Sequence, residues 1–153
     1  MNKANSRRVS PLYNAATENH ASMAGMLLDA AANANYGDED GSTPLMMAAQ
    51  EGYEAVLATL LRAGPCEVDK TKGVGTTALS IAAANGHAAV VARLLQAGAA
   101  VDKADGEGAT PLMEAARAGH RAVVQYYCKV GEGAPGAPRP VESRHAKMPS
   151  SES

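Results

Sequence analysis

Phenylalanine and tryptophan are absent from these 153 residues, and tyrosine supplies all of the aromatic character. A single globular core of this size ordinarily draws on large rings for its bulk. Hydrophobic residues still make up 46% of the chain. They are mostly Ala, Leu, Val and Met, which suits thin layers of closely packed helices. Cysteine is scarce as well: Cys66 and Cys128 form neither a CxxC pair nor a disulfide framework. No apolar run approaches the roughly 18 residues that a membrane span needs. Residues 1–8 are polar and lack the apolar stretch of a signal peptide, and no Asn-x-Ser/Thr acceptor occurs. Charge of one sign is not in large excess either. A net charge of -2 is no electrostatic match for a nucleic-acid backbone. The expectation is a monomer without nucleic-acid or membrane partners, in a reducing compartment: the cytoplasm, with the nucleus as a second location.

What the chain does have is internal repetition. Thr43-Pro44-Leu45-Met46-Met47-Ala48-Ala49-Gln50-Glu51-Gly52 returns as Thr77-Ala78-Leu79-Ser80-Ile81-Ala82-Ala83-Ala84-Asn85-Gly86 and as Thr110-Pro111-Leu112-Met113-Glu114-Ala115-Ala116-Arg117-Ala118-Gly119. A weaker copy opens at Ser10-Pro11-Leu12. The starts at 10, 43, 77 and 110 are spaced by 33, 34 and 33 residues. A second block follows each start: Leu27-Leu28, Leu60-Leu61, Leu94-Leu95 and Tyr127-Cys128. Within a unit, Thr or Ser is a helix N-cap, and Pro fits the first helical position. Leu and the paired Ala share one face, and Gly permits the left-handed residue that ends the helix. Val90, Val91, Leu94 and Leu95 fall at helical spacing for a second helix. Such a pair cannot bury its apolar face alone and becomes stable by stacking on the next copy.

The TPLxxAAxxGH and LLxAGAxVD patterns resemble the ankyrin repeat, over roughly Val9 to Gly131. The resemblance implies an all-α solenoid of stacked helix-turn-helix units with β-hairpin-like loops. It comprises four repeats, at about 9–36, 38–71, 72–104 and 105–131. A flexible arm at 1–8 precedes them, and a disordered Pro/Gly/Ser-rich tail at 132–153 follows. The TPLH histidine of the family is replaced by Tyr13, Met46, Ser80 and Met113. Repeat 1 has Asn19 and Ala31 where Gly is usual, which marks it as the degenerate, capping copy. In repeat 4, Tyr126 and Tyr127 with Arg121, Gln125 and Lys129 give the outer helix an amphiphilic end face.

No catalytic constellation, metal site or cofactor is expected. His20, His87 and His120 hold equivalent places in different layers. Packed helices lie roughly 8–10 Å apart and zinc–nitrogen bonds are about 2 Å, so these are turn residues and not shared ligands. Asp38-Glu39-Asp40-Gly41 fails as a calcium loop because Met47 stands where a bidentate Glu is required. Lys72-Gly73-Val74-Gly75-Thr76-Thr77 lacks the GxxxxGK[ST] spacing of a phosphate loop. Cys128 reads as a buried thiol in place of an inner Leu, and Cys66 as the more reactive of the two. Arg7-Arg8-Val9-Ser10 fits a basophilic kinase pattern, so Ser10 is a candidate phosphorylation site.

The resemblance also implies where a partner would bind: the loop tips and the concave face of first helices. The residues at those places are Glu39, Asp40 and Ser42, then Thr71, Val74 and Thr76, then Glu107 and Ala109. On the helices they are Thr17, Glu18, Gln50, Glu51, Ala84, Asn85, Arg117 and Ala118. Glu39, Asp40 and Glu51, with Glu18 one layer away, favour a protein partner offering a basic segment. The function implied is an adapter or inhibitor. The alternative is a structural fragment or cap of a larger repeat assembly.

Overall fold

The computed structural model describes residues 9–63 and 65–131. The proposed arm at 1–8 and the proposed tail at 132–153 lie outside them. The described residues form eight helices in four antiparallel pairs: α1 (Pro11–Thr17) with α2 (Ala21–Asp29), α3 (Pro44–Glu51) with α4 (Glu54–Arg62), α5 (Ala78–Ala84) with α6 (Ala88–Gln96), and α7 (Pro111–Ala118) with α8 (Arg121–Gly131). The first helices pack in the order α1, α3, α5, α7, and the second helices in the order α2, α4, α6, α8. The result is a two-layer stack in which each pair leans on its neighbours.

Local chemistry sets each element. Ser10, Thr43, Thr77 and Thr110 each accept a hydrogen bond from the backbone N–H three residues on, closing the exposed donors of the first turn. Pro follows the cap in α1, α3 and α7. In α5, where Ala78 replaces Pro, Ser80 completes a capping box with Thr77. Gly52, Gly86 and Gly119 end the short first helices at φ of 75°, 79° and 81°.

The core is a thin continuous band. Leu12, Leu45 and Leu79 are essentially inaccessible, as are the alanine pairs Ala48–Ala49 and Ala82–Ala83 that let the first helices approach closely. Val56, Val90, Val91, Leu57, Leu60 and Leu94 close the second layer.

Repeat 1 follows the same backbone path without the glycines. Asn19 and Ala31 sit at φ of 61° and 70°. Ala31 still closes α2 through its own N–H to Leu28 O and the Ala32 N–H to Leu27 O. A left-handed alanine costs roughly 1–2 kcal/mol, partly offset because Ala has less unfolded-state freedom to lose than Gly. Ala31→Gly is therefore expected to stabilise the protein by about 0.5–1 kcal/mol, seen as a higher midpoint in urea denaturation. An unchanged or lower midpoint would contradict the strain.

Candidate functional site

The loops between helical pairs share one construction. The residue five before each Thr cap donates its N–H to the carbonyl four residues on: Asp38 to Ser42, Lys72 to Thr76 and Asp105 to Ala109, all at 3.0 Å. A glycine with positive φ, Gly41, Gly75 or Gly108, closes each turn. These are the hairpin-like loops that the family resemblance implies, and Lys72 with Thr76 forms an antiparallel bridge.

The side chain at the first loop position then decides how each loop is held. Asp38 Oδ1 accepts from the N–H groups of Asp40 and Ser42, both at 2.9 Å. Asp105 Oδ1 accepts from Glu107 and Ala109 at 2.8 and 2.9 Å. Those bonds, that from Ala109 foremost, hold the Asp105 carboxyl below the usual carboxylate range. Lys72 takes the place of the aspartate in repeat 3. Its Nζ reaches across to donate to Ser42 Oγ at 2.8 Å, and Gly106 N–H donates to Val74 O. Successive loops are thus tied to one another.

A second set of ties runs along the other edge. Asn35 donates Nδ2–H to Pro65 O at 2.9 Å and accepts from Glu67 N–H at 2.7 Å. Its counterpart one repeat on, Asp69, accepts from Ala100 N–H at 3.0 Å. Along the first helices, His87 Nε2–H donates to Gln50 O at 3.0 Å and His120 Nε2–H donates to Ala84 O at 2.8 Å. A carbonyl can only accept, so these contacts fix the Nε2–H tautomer. The histidines are inter-repeat clamps. Among the described residues no group of three or more His, Cys, Asp or Glu converges as a metal site would require.

Of the residues expected to meet a partner, Glu18, Glu39, Asp40, Gln50, Glu51, Thr71, Val74, Asn85, Glu107 and Arg117 are exposed, and Thr76 is half-buried. Ser42 is not a loop-tip contact. It is 3% exposed, and its hydroxyl accepts from Lys72. Glu39 and Asp40 precede α3, whereas Glu51 ends it, so the acidic residues bracket the helix. The eight-residue helix that stands between them is about 12 Å long at roughly 1.5 Å per residue. The three ion pairs among the described residues, Lys70–Glu67, Arg93–Glu54 and Arg117–Glu114, leave Glu18, Glu39, Asp40 and Glu51 without a cationic partner. Residues 38–71 carry seven acidic side chains against two basic ones, while residues 72–104 carry one against three.

Four further expectations are revised. Ser10 is 1% exposed and engaged as the α1 cap, so the folded stack does not offer its hydroxyl to a kinase. Cys128 is exposed, because its position faces onward and no described residue follows to cover it. Tyr127, the residue before it, is buried at 7% in line with Leu27, Leu60 and Leu94, and so does not join an amphiphilic end face. The Tyr127 hydroxyl has no hydrogen-bond partner among the described residues. Cys66 is half-buried, and burial, with Glu67 nearby, pushes its thiol up to about 11. It is held as the poorly nucleophilic thiol.

Burial, with the Asp38 carboxylate that accepts its hydroxyl at 3.0 Å, likewise pushes Tyr13 up to about 12. Tyr127 moves in the same direction, mainly through burial. All three groups are neutral when protonated and bind their protons more tightly in the folded state. The stability they support is full below their ordinary values, 9.0 for the thiol and 10.0 for the phenols. It falls as pH rises through the folded values. The thermal midpoint is expected to drop steadily above about pH 9, and a midpoint constant to about pH 11 would contradict these assignments.

Sequence reasoning passed over Asp38, Lys72, Asp105, Asn35 and Asp69 as positioning groups. A signal was present: Asp-x-x-Gly occurs at 38–41 and again at 105–108, and Asn35, Asp69 and Asp102 recur at the repeat spacing.

A family model described as ankyrin repeats, in three copies, matches residues 1–72 and, overlapping, 57–133. No curated protein matches the chain. Among the described residues no helix is long and apolar enough to cross a membrane.

Proposed function

The chain belongs to the ankyrin repeat family, whose members generally serve as protein–protein interaction modules, and on that premise we propose that it is a non-catalytic adapter or inhibitor that grips an extended basic segment of a partner protein. The observation that carries this reading is the set of carboxylates at the two ends of α3. Glu39 and Asp40 on the loop and Glu51 at the helix end are exposed and lack a cationic partner among the described residues. Glu18 lies one layer away. The length of α3, about 12 Å, equals roughly four residues of extended chain. A segment with Lys or Arg at both ends and small apolar residues between them fits the gap. Val74 and Thr71, exposed on the next loop, offer it a neutral shoulder. Charged pairing at such a rim sets the association rate and the choice of partner more than the affinity.

The test is selection from a displayed peptide library against the full chain, followed by anisotropy titration of the selected peptides. The expected result is enrichment of peptides with paired basic residues. Their binding should weaken at least about tenfold, some 1.4 kcal/mol, in the triple variant Glu39→Lys, Asp40→Lys, Glu51→Lys. The far-ultraviolet circular dichroism of that variant should be unchanged, since none of the three side chains is buried. Enrichment of acidic peptides, or equal affinity of the variant, would overturn the reading.

A further inference from the structure

We infer that the two ends of the stack are complementary and that a second copy of this chain continues it head to tail, with repeat 1 of one molecule seated on repeat 4 of the next. Two independent observations carry this. The first is what the end faces expose. The leucine of the first helix is 0–1% exposed at Leu12, Leu45 and Leu79 but 39% exposed at Leu112. Since Leu12 is covered in repeat 1, this position faces the following unit, and repeat 4 leaves it open together with Met113, 57% exposed. The opposite face shows the converse. Val56, Val90 and Val123 are 0–1% exposed, and their counterpart Met23 is 50% exposed beside Met26 at 67%. Val123 is covered in repeat 4, so this position faces the preceding unit. Terminal units of a stacked array ordinarily turn a polar face to water; here both ends present large apolar side chains.

The second observation is an empty seat and a matching plug. At each interior junction, a histidine lies over the glycine that ends the preceding first helix. A Cβ added to Gly52 would meet the His87 ring at 2.6 Å, and one added to Gly86 would meet the His120 ring at 2.5 Å. The same rings donate to Gln50 O and Ala84 O. The next seat is Gly119, with the same left-handed backbone and no described residue within 4 Å of its Cβ direction. The matching histidine is His20. It is exposed, and its backbone (φ -98°, ψ 81°) follows that of His87 (φ -90°, ψ 81°). Placed as the interior histidines are, His20 of a second copy covers Gly119 and donates to the carbonyl of Arg117, while Met23 meets Leu112. The contact joins two different surfaces, so it is heterologous and open-ended.

Sedimentation velocity of the full chain tests this. The weight-average mass is expected to climb past that of two chains as concentration rises, without a plateau at the dimer. Leu112→Glu and Met23→Glu should each sediment as a monomer, because each lacks one of the two faces. An equimolar mixture of them should form a dimer and stop there, through the intact face of each. Should either variant lose its helical circular dichroism, Met113→Lys and Met26→Lys, at positions more than half exposed, serve in its place with the same pattern expected. A wild-type chain that stays monomeric at all concentrations overturns the inference, as it would if residues outside 9–131 cover either face. So does a mixture that stays monomeric, or a Met23→Glu variant that still dimerises through two like ends.

Discussion

Gly86→Ala is expected to destabilise the protein by about 3 kcal/mol, and Gly119→Ala by only about 1 kcal/mol, although the two glycines share one backbone conformation and one place in the repeat. At both sites an L side chain in the left-handed region costs roughly 1–2 kcal/mol, a little less after the unfolded-state entropy is counted. Gly86 has a further burden. The new Cβ would stand 2.5 Å from His120 Nδ1, so the ring must move as a body. In moving it gives up the 2.8 Å bond to Ala84 O, worth roughly 1 kcal/mol net and more if the carbonyl is left unsatisfied. Above Gly119 no described residue stands to be displaced. Urea denaturation of both variants at a concentration where the chain is monomeric isolates the clamp. Equal losses would mean that the histidines merely decorate the turn.

Leu79→Ala is expected to cost about 3–4 kcal/mol, and Leu112→Ala about 1 kcal/mol. These residues hold the same letter of the repeat, and the difference lies in their neighbours. Leu79 is 1% exposed between two layers, and its removal leaves a cavity in a band already thin in large side chains. Leu112, at 39% exposure, can be replaced by water on one side. A loss near 4 kcal/mol is a large part of the 5–15 kcal/mol typical of a domain. It also falls in the middle of a structure held by nearest-neighbour contacts. The Leu79 variant should therefore show a broadened or two-step transition as the halves uncouple. A single sharp transition with a loss equal to that of Leu112→Ala would refute the layered account.

The fold was legible because its determinants are short-range. A cap, a proline, a leucine, two alanines and a glycine make a helix and its stop wherever they occur in that order, and recurrence made the stacking evident. Asn19 and Ala31 were readable for the same reason, since the backbone of the unit overrides the preference of the residue. What the letters concealed was set by position along the stack. Cys128 and Leu95 occupy equivalent places, yet only Leu95 has a described layer beyond it. Ser10 matches a kinase pattern, but its hydroxyl is consumed by the turn it starts. Ser42 lies in the loop, but Lys72, thirty residues away, claims it. The direction in which His87 and His120 reach, back to the preceding unit, also depends on packing that no single repeat encodes. The acidic side chains themselves are plain in the sequence. Their spacing across α3 had to come from the helix.

The ties between neighbouring layers have a mechanical consequence. Each unit is fastened to the next by a few bonds, among them the His87 and His120 clamps, the Lys72–Ser42 link and the Asn35 and Asp69 contacts. Tension applied to the two termini therefore loads these fastenings in series. The stack should pay out as a ratcheting spring, one unit per event. Each event releases roughly 33 residues, about 115 Å of contour, before the following set of fastenings takes the load.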